Sequence, residues 1–310
     1  MRFGKGADST SNVEDRRTGG DPRSGGFGGM GGMGGLPIPG GGKGLGGIIG
    51  IILVVVVGFL ARGGGGGGTD ITDIITGGFD QASTVPAAPG QEGVPGADPD
   101  AAAATFSGQV FNDTQDFWAA TFADADREYR EAKLVLFDTP VGSSCGGAQA
   151  AIGPHYCPPD DTVFIELGFF DELSSEFGAP GDFAQAYVIA HEMGHHVQNV
   201  LGTSEEVRRL QSQEPDRAND YSIRLELQAD CYAGVWAKTV YDRGMLDPGD
   251  IEEGLAAAQA VGDDRIQEKA TGRVDPESWN HGSSEQRARW FRTGFDSGRA
   301  DACDTFSGDP

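Results

Sequence analysis

Apolar residues recur with helical spacing over much of the second half of the chain. The clearest case is the segment 182–201, where Gly181 and Asp182 form a start signal and Gly202 a stop. Its apolar residues form one stripe, as in an amphipathic helix: Phe183, Ala186, Val188, Ile189, Met193 and Val197. Comparable patterns predict helices over residues 204–213, 218–241, 250–261 and 283–296.

Strand signals are fewer. Residues 133–137 and 162–167 are short runs rich in Val, Ile, Leu and Phe, which favour strands. Trp118, Phe122, Ala125 and Tyr129 recur at helical spacing. The pattern therefore predicts an α-rich α+β domain over residues 106–310, which is large enough to bury a core.

One uncharged apolar run, residues 44–61, has the length of a membrane span. At 1.5 Å per residue its helix would measure about 27 Å, close to the hydrocarbon thickness of a bilayer. Arg62 follows it, and the next basic residue is Arg127. Six basic residues precede it: Arg2, Lys5, Arg16, Arg17, Arg23 and Lys43. The positive-inside rule then predicts a single-pass cell-membrane protein with a cytoplasmic N-terminus and an extracytoplasmic domain. A cleaved signal peptide and a buried core helix are the alternatives.

Glycine-rich sequence surrounds this run. The chain has 51 glycines, most of them before residue 100. Such composition buries little apolar surface, so we expect residues 1–43 to be a disordered cytoplasmic head. Residues 62–105 contain six consecutive glycines and an Ala/Pro/Gly/Asp stretch, which predict a flexible linker.

The net charge and the cysteines restrict the possible partners and the cellular compartment of the protein. A formal net charge of −24 argues against nucleic acid as a partner, since phosphate backbones require clustered basic residues. Cys145, Cys157, Cys231 and Cys303 all follow the apolar run, where disulfides persist. Three pairings are possible. We prefer Cys145 with Cys157, which closes a short loop, and Cys231 with Cys303. A cysteine metal site is the alternative, although no C-x-x-C spacing is present.

The strongest chemical signal is an H-E-x-x-H motif inside the 182–201 helix. His191 and His195 are four residues apart, so both imidazoles face the same side and can bind one metal ion. Glu192 lies beside them as a candidate general base. His196 lies about 100° further around the helix, so we interpret it as a wall of the site rather than a ligand. A solvated helix face that happens to contain histidines is the alternative.

A third ligand is needed, because catalytic zinc usually takes three protein ligands and leaves a fourth position open. Glu226 and Asp230 share one face of the 218–241 helix, next to its apolar residues. Two acids facing a core need a cationic partner, which a zinc ion and its histidine would supply. Glu226 would then bind zinc, and Asp230 would accept a ring N–H from a ligating histidine. A solvated acidic pair is the alternative, and His155 is the rival third ligand.

The two motifs together resemble the gluzincin arrangement of zinc metallopeptidases, an H-E-x-x-H helix followed by an E-x-x-A-D helix. More closely, the chain is similar to a bacterial family of membrane-anchored neutral zinc metallopeptidases. The matching segments are residues 191–199 (HEMGHHVQN), 226–236 (ELQADCYAGVW), 281–291 (HGSSEQRARWF), 156–158 (YCP) and 11–17 (SNVEDRR). The resemblance covers this N-terminal signature and roughly residues 106 to 306. It implies a zincin-like fold, a Zn²⁺ cofactor, peptidase activity, and His191 as the partner of Asp230. An edge strand beside the metal pairs with substrate in such folds, so residues 162–167 are either that strand or an ordinary one.

We therefore expect a membrane-anchored zinc metallopeptidase, an endopeptidase acting on peptide or protein substrates. Zinc on His191, His195 and Glu226 would activate water, with Glu192 as the general base. His281 is either a catalytic residue that stabilises the oxyanion or part of a helix-capping loop. Two other functions fit the same residues: a non-catalytic zinc-binding scaffold of the cell envelope, and a zinc hydrolase of a non-peptide amide.

Overall fold

The computed structural model describes residues 1–3, 12–17, 98, 100–146 and 153–308. Within these ranges the chain forms eight α-helices and a four-stranded sheet, which agrees with the α-rich α+β class. The apolar run 44–61 and most of the expected head and linker lie outside the described residues. None of the described helices is both long enough and apolar enough to span a bilayer.

The helices follow the hydrophobic pattern closely. They are α1 (Ala101–Asp124), α2 (Gly168–Ser175), α3 (Asp182–Leu201), α4 (Thr203–Gln213), α5 (Ala218–Asp242), α6 (Asp250–Ala260), α7 (Asp263–Thr271) and α8 (Ser284–Ser297). The predicted bounds of α3, α4, α5, α6 and α8 agree with these to within one residue at each end. Helices α2 and α7 were not predicted. The first is short, and most of α7 is charged or polar, so neither shows an apolar stripe long enough to recognise.

Helix α1 begins earlier than the expected domain boundary at residue 106. Its first residues, 101–104, are alanines that we assigned to the linker by composition. Alanine is also the best helix former, and α1 continues into buried Val110, Phe111 and Trp118, which hold the helix against the core. The helix ends at Asp124, so the helical spacing that we extended to Tyr129 stops one turn early.

The sheet has the order β1-β2-β4-β3. Its strands are β1 (Val13–Asp15), β2 (Lys133–Phe137), β3 (His155–Cys157) and β4 (Thr162–Glu166), and only the β3–β4 pair is antiparallel. Strand β4 pairs on both sides, with β2 and with β3. The interpretation as an ordinary strand therefore holds for residues 162–164, whereas residues 165 and 166 pair only with β2 among the described strands.

Strand β1 is the main departure from the sequence analysis. We expected all of residues 1–43 to be a disordered head, yet residues 13–15 form a strand parallel to β2. Leu134 lies opposite Val13, and Leu136 lies opposite Asp15. A three-residue strand with one apolar position gives almost no periodic signal, so pairing with β2 alone could reveal it.

Both expected disulfides are present. Cys145 bonds to Cys157 at the end of β3, and Cys231 of α5 bonds to Cys303 after α8. The second bond fixes the C-terminal segment to the helix that carries Glu226 and Asp230. No free cysteine remains in the described residues.

Helix α3 lies at the centre of the domain. It is buried along most of its length between the sheet and helices α1, α5 and α6. Phe183 near its start stacks on Trp236 of α5, with ring centroids 6.2 Å apart. Helix α8 packs closely on α5 because Gly294 and Gly234 have no side chain; a Cβ at Gly294 would lie 1.9 Å from the carbonyl oxygen of Cys231.

Candidate metal centre

Three side chains converge where α3 crosses α5. One ligand atom from each of His191, His195 and Glu226 lies within 4.8 Å of the others. The Glu226 carboxylate is 3.2 Å from Nε2 of His191 and 3.4 Å from Nε2 of His195. The structure thus brings together the three residues that the sequence analysis assigned as ligands.

These separations suit a zinc ion. Ligand atoms about 2.0–2.1 Å from a tetrahedral zinc lie about 3.3 Å from one another. Oε2 of Glu226 is 3.2 Å from Nε2 of His191, and its other oxygen, Oε1, is 3.4 Å from Nε2 of His195, so the three side chains are close enough to share one ion. Two histidines and one glutamate are also a known donor set of catalytic zinc sites. The three residues therefore fit zinc by both geometry and ligand type.

Gly194 explains why the two helices approach so closely at this point. A Cβ on Gly194 would lie 2.9 Å from Cα and 3.0 Å from the carbonyl oxygen of Ala229, closer than real Cβ atoms pack. Gly194, a variable position of the H-E-x-x-H motif, thus meets Ala229, the alanine of the E-x-x-A-D motif, across the helix crossing. A larger residue at 194 would push the histidines away from Glu226.

The second nitrogen of each ligand histidine has a partner that fixes the ring. The Nδ1–H of His191 donates to Asp230 at 2.8 Å, as the resemblance implied. The Nδ1–H of His195 donates to Oε1 of Gln198 at 2.9 Å, and Gln198 in turn donates to the backbone oxygen of Leu225 at 2.7 Å. Both rings therefore present Nε2 to the common centre, the arrangement that second-layer hydrogen bonds produce around metals.

Arg287 and Tyr187 complete the environment of Asp230, and the sequence analysis missed both. Arg287 of α8 donates to both carboxylate oxygens of Asp230, at 2.8 and 3.0 Å. The Tyr187 hydroxyl donates to Asp230 at 2.5 Å. Asp230 is fully buried and Arg287 nearly so. Arg287 could have been recognised from the sequence, because it is a charged residue on the apolar stripe of α8, beside Ala288 and Phe291.

The charges of the cluster reinforce one another. Burial alone lowers the pKa of His191, but the Asp230 and Glu226 carboxylates outweigh it and raise the pKa to about 10. Burial alone raises the pKa of Glu226, but His195 and His191 hold it well below its ordinary value. Before a metal binds, the two acids are thus ionised at neutral pH and attract positive charge.

Glu192 lies on the same helix as the two histidines, and its side chain is 7% exposed. It forms no hydrogen bond with another residue of the described ranges. Burial lowers the pKa of His195, and the charges of Glu226 and Glu192 raise it. Glu192 is therefore near the cluster, and no other described residue binds its carboxylate.

His281 lies in the loop before α8, and that loop caps the helix as one of its two sequence interpretations expects. Ser283 caps α8 with a capping box, as the structural interpretation requires. His281 itself is half-exposed, and its Nδ1–H donates to Asp263 at 3.0 Å. Asp263 also accepts the backbone N–H groups of residues 280–282. Glu226 lies within electrostatic reach of the ring and helps to raise the pKa of His281. Asp263 was missed because the helix that it begins was not predicted.

The other two histidines lie apart from this cluster. His196 contacts the Tyr156 hydroxyl at 3.0 Å and the backbone oxygen of Arg130 at 2.6 Å, so it ties α3 to the sheet region. His155, the rival ligand, stacks on Phe164 within the sheet and is not part of the ligand cluster.

Comparison with known proteins agrees with this geometry. The family model described as putative neutral zinc metallopeptidase matches residues 1–306. The chain is 43% identical to the uncharacterized protein YpfJ of Escherichia coli (strain K12) over 310 residues, 99% of each chain. It is 47% identical to the uncharacterized protein Rv2575 of Mycobacterium tuberculosis (strain H37Rv) over 190 residues, 58% of this chain and 64% of that protein. No solved structure gives a significant match.

The family match spans nearly the whole chain and includes the residues that converge at the candidate metal centre. The recognised resemblance is thereby confirmed at the level of the family. The chain belongs to the putative neutral zinc metallopeptidase family.

Proposed function

We propose that this protein is a zinc metallopeptidase that hydrolyses internal peptide bonds of peptide or protein substrates. The observation that carries the proposal is the convergence of His191, His195 and Glu226, whose ligand atoms lie within 4.8 Å of one another. The ring-fixing bonds of Asp230 and Gln198 support it, since a structure that merely tolerated two histidines would not need to orient both rings.

His191, His195 and Glu226 would hold the zinc ion, which would supply Lewis acidity toward a water molecule and a substrate carbonyl. Glu192 acts as the general base: it takes the proton of the attacking water and then passes it to the leaving amine. A buried carboxylate with no competing hydrogen bond among the described residues is suited to hold that proton in transit.

In this proposal His281 stabilises the oxyanion of the tetrahedral intermediate. Asp263 fixes Nδ1 of the ring, which leaves Nε2 as the atom that can donate to a developing negative charge. The capping box of Ser283 and the three backbone bonds to Asp263 hold the loop that carries the ring. The capping role and the catalytic role are thus complementary rather than exclusive.

We place the activity outside the cytoplasm. Both disulfides require an oxidising compartment to persist, and one of them joins the ligand helix α5 to the C-terminal segment. The apolar run 44–61 supports attachment to the cell membrane by its length and composition.

The test uses the purified full-length protein. Zinc per chain is measured by mass spectrometry, and cleavage of a peptide library is followed with and without a chelator. Glu192→Gln should keep its zinc and lose cleavage, whereas Glu205→Gln, the same change on the exposed face of α4, should behave like the wild type.

Two outcomes would contradict the proposal. Stoichiometric zinc without turnover of any peptide or protein would favour a zinc-binding scaffold, and turnover confined to non-peptide amides would favour another class of hydrolase. Cleavage that is unaffected by Glu192→Gln would contradict the mechanism alone.

A further inference from the structure

The first residues of the chain are part of the metallopeptidase domain. Strand β1 pairs with β2 in register, and hydrogen bonds extend beyond the strand on both sides. The amide of Leu134 donates to the backbone oxygen of Asn12, and the amide of Arg16 donates to the backbone oxygen of Leu136, each at 2.8 Å. Val13 packs on the main core beside Gly108. Without β1, the edge of the apolar strand β2 would be left unpaired.

Arg17 anchors the end of this segment. Arg17 is 8% exposed, and its guanidinium donates to Asp15 at 2.6 and 2.9 Å. It also donates to Asp98, which precedes α1, at 3.0 Å. A buried arginine is stable only when its charge is paired, so the two carboxylates hold residue 17 against the start of the domain.

Residues 1–3 make a second, separate contact with the domain. The Phe3 ring meets Phe106 of α1 edge to face, with centroids 5.9 Å apart. The Arg2 amide donates to the backbone oxygen of Met245 at 2.8 Å, and its guanidinium pairs with Asp247 at 2.6 Å. The N-terminal segment thus touches the sheet, α1 and the turn before α6.

These contacts restrict how the chain can be arranged across a membrane. Paired strands lie about 4.8 Å apart, whereas a bilayer core is about 30 Å thick. A single crossing by residues 44–61 would put β1 and β2 on opposite sides, and residues 62–97 contain no second apolar run of that length. We propose that residues 1–17 and the metallopeptidase domain lie on the same side of the membrane, held together by β1–β2 pairing.

The basic residues that suggested a cytoplasmic N-terminus fit this arrangement. Arg2, Arg16 and Arg17 each pair with a carboxylate: Arg2 with Asp247, Arg16 with Glu14, and Arg17 with Asp15 and Asp98. The positive-inside rule weighs Lys and Arg within about 15–20 residues of a span, and these three arginines lie farther than that from residue 44. Three of the six basic residues before the apolar run therefore carry little weight for its orientation.

Labelling of single added cysteines in the full-length, membrane-associated protein tests the proposal. Glu14→Cys reports on β1 and Ser212→Cys on α4; both positions are exposed, and the described native cysteines are all in disulfides. A membrane-impermeant maleimide is applied to spheroplasts before and after permeabilisation. The two positions should become labelled under the same condition. Labelling of one before and the other only after permeabilisation would overturn the proposal.

Docking itself is tested on the purified full-length protein. Val13→Asp should lower the unfolding temperature, because it places a charge against the core, while the exposed change Glu14→Gln should leave it unchanged. Hydrogen exchange of the wild-type protein tests the same docking without the variant, so the proposal can still be tested if Val13→Asp does not fold. The Arg16 and Leu134 amides should exchange slowly; exchange at the rate of an unstructured peptide would overturn the proposal.

Discussion

Helix α3 has a cluster of three potential metal ligands at each of two places, and the two clusters differ in what holds them. His191, His195 and Glu226 form one in its second half, and Asp182, Asp250 and Glu253 form the other at its start. In both, the ligand atoms lie within 4.8 Å of one another. Distance alone therefore does not distinguish a metal centre from a group of acids.

The partners of each cluster make the distinction. Glu253 accepts the Phe183 amide in the first turn of α3, and Asp250 accepts the Asp247 amide in the turn before α6, so both acids hold backbone amides. The amino group of Met1 lies 2.8 Å from Asp182 and 3.1 Å from Asp250, which offsets part of their negative charge. In the other cluster Nδ1 of each histidine makes a hydrogen bond that points away from the centre, to Asp230 or to Gln198. The Nε2 atoms and the Glu226 carboxylate face one another. We conclude that outward bonds, rather than nearby acids, mark the proposed zinc site.

The largest expected effect separates the two clusters directly. Glu226→Gln should lose most of its zinc and nearly all peptidase activity, because a neutral amide replaces the only anionic ligand. Glu253→Gln makes the same change in the acidic cluster and should keep both its zinc and its peptidase activity. Zinc per chain and kcat/KM are measured for each. Equal zinc loss in the two variants would show that the clusters are not different in kind.

The next effect tests the centre without removing a ligand. Glu192→Gln should reduce kcat by roughly 100- to 10,000-fold while zinc content is unchanged, since it removes a general base and not a ligand. Single-turnover cleavage and metal analysis of the same sample measure both quantities. Loss of zinc in this variant would instead assign Glu192 a role in metal binding.

A smaller effect concerns the outward bonds. Asp230→Asn should weaken zinc binding by about 10- to 100-fold, because the His191 ring loses its charged partner and Arg287 is left buried beside a neutral amide. Asp250→Asn is the matched change in the acidic cluster and should not alter zinc affinity. Competition with a chromophoric chelator measures the two dissociation constants. An unchanged zinc affinity of Asp230→Asn would show that the outward hydrogen bonds do not distinguish the two clusters.

The smallest effect is a shift in pH dependence. Burial lowers the pKa of His281, and its bond to Asp263 and the nearby Glu226 raise it above the ordinary value. Asp263→Asn removes the larger of these raising influences, so the pKa falls and His281 loses its proton at a lower pH. If protonated His281 stabilises the oxyanion, the alkaline limb of kcat/KM should move to lower pH while zinc content stays constant. An alkaline limb at the wild-type pH would assign His281 to capping alone.

Much of the helical framework was predictable, and the reason is local. Helices α3 and α5 carry long apolar stripes with clear ends, so their bounds follow from periodicity. Strand β1 and helix α7 carry no such stripe. They exist because β2 offers an unpaired edge and because the backbone of residues 280–282 binds Asp263, and neither cause is visible in the local sequence.

The sequence by itself determined which residue types could form the site: two histidines one turn apart, an adjacent glutamate, and an acidic pair on a second helix. Motif spacing fixes such neighbours because helix geometry is the same in every protein. Only the tertiary structure decided that Glu226 meets both histidines, through the close crossing of Gly194 and Ala229, and that Arg287 joins Asp230. The structure also decided that the first residues belong to the domain. Those relations depend on packing between distant segments, which no local pattern encodes.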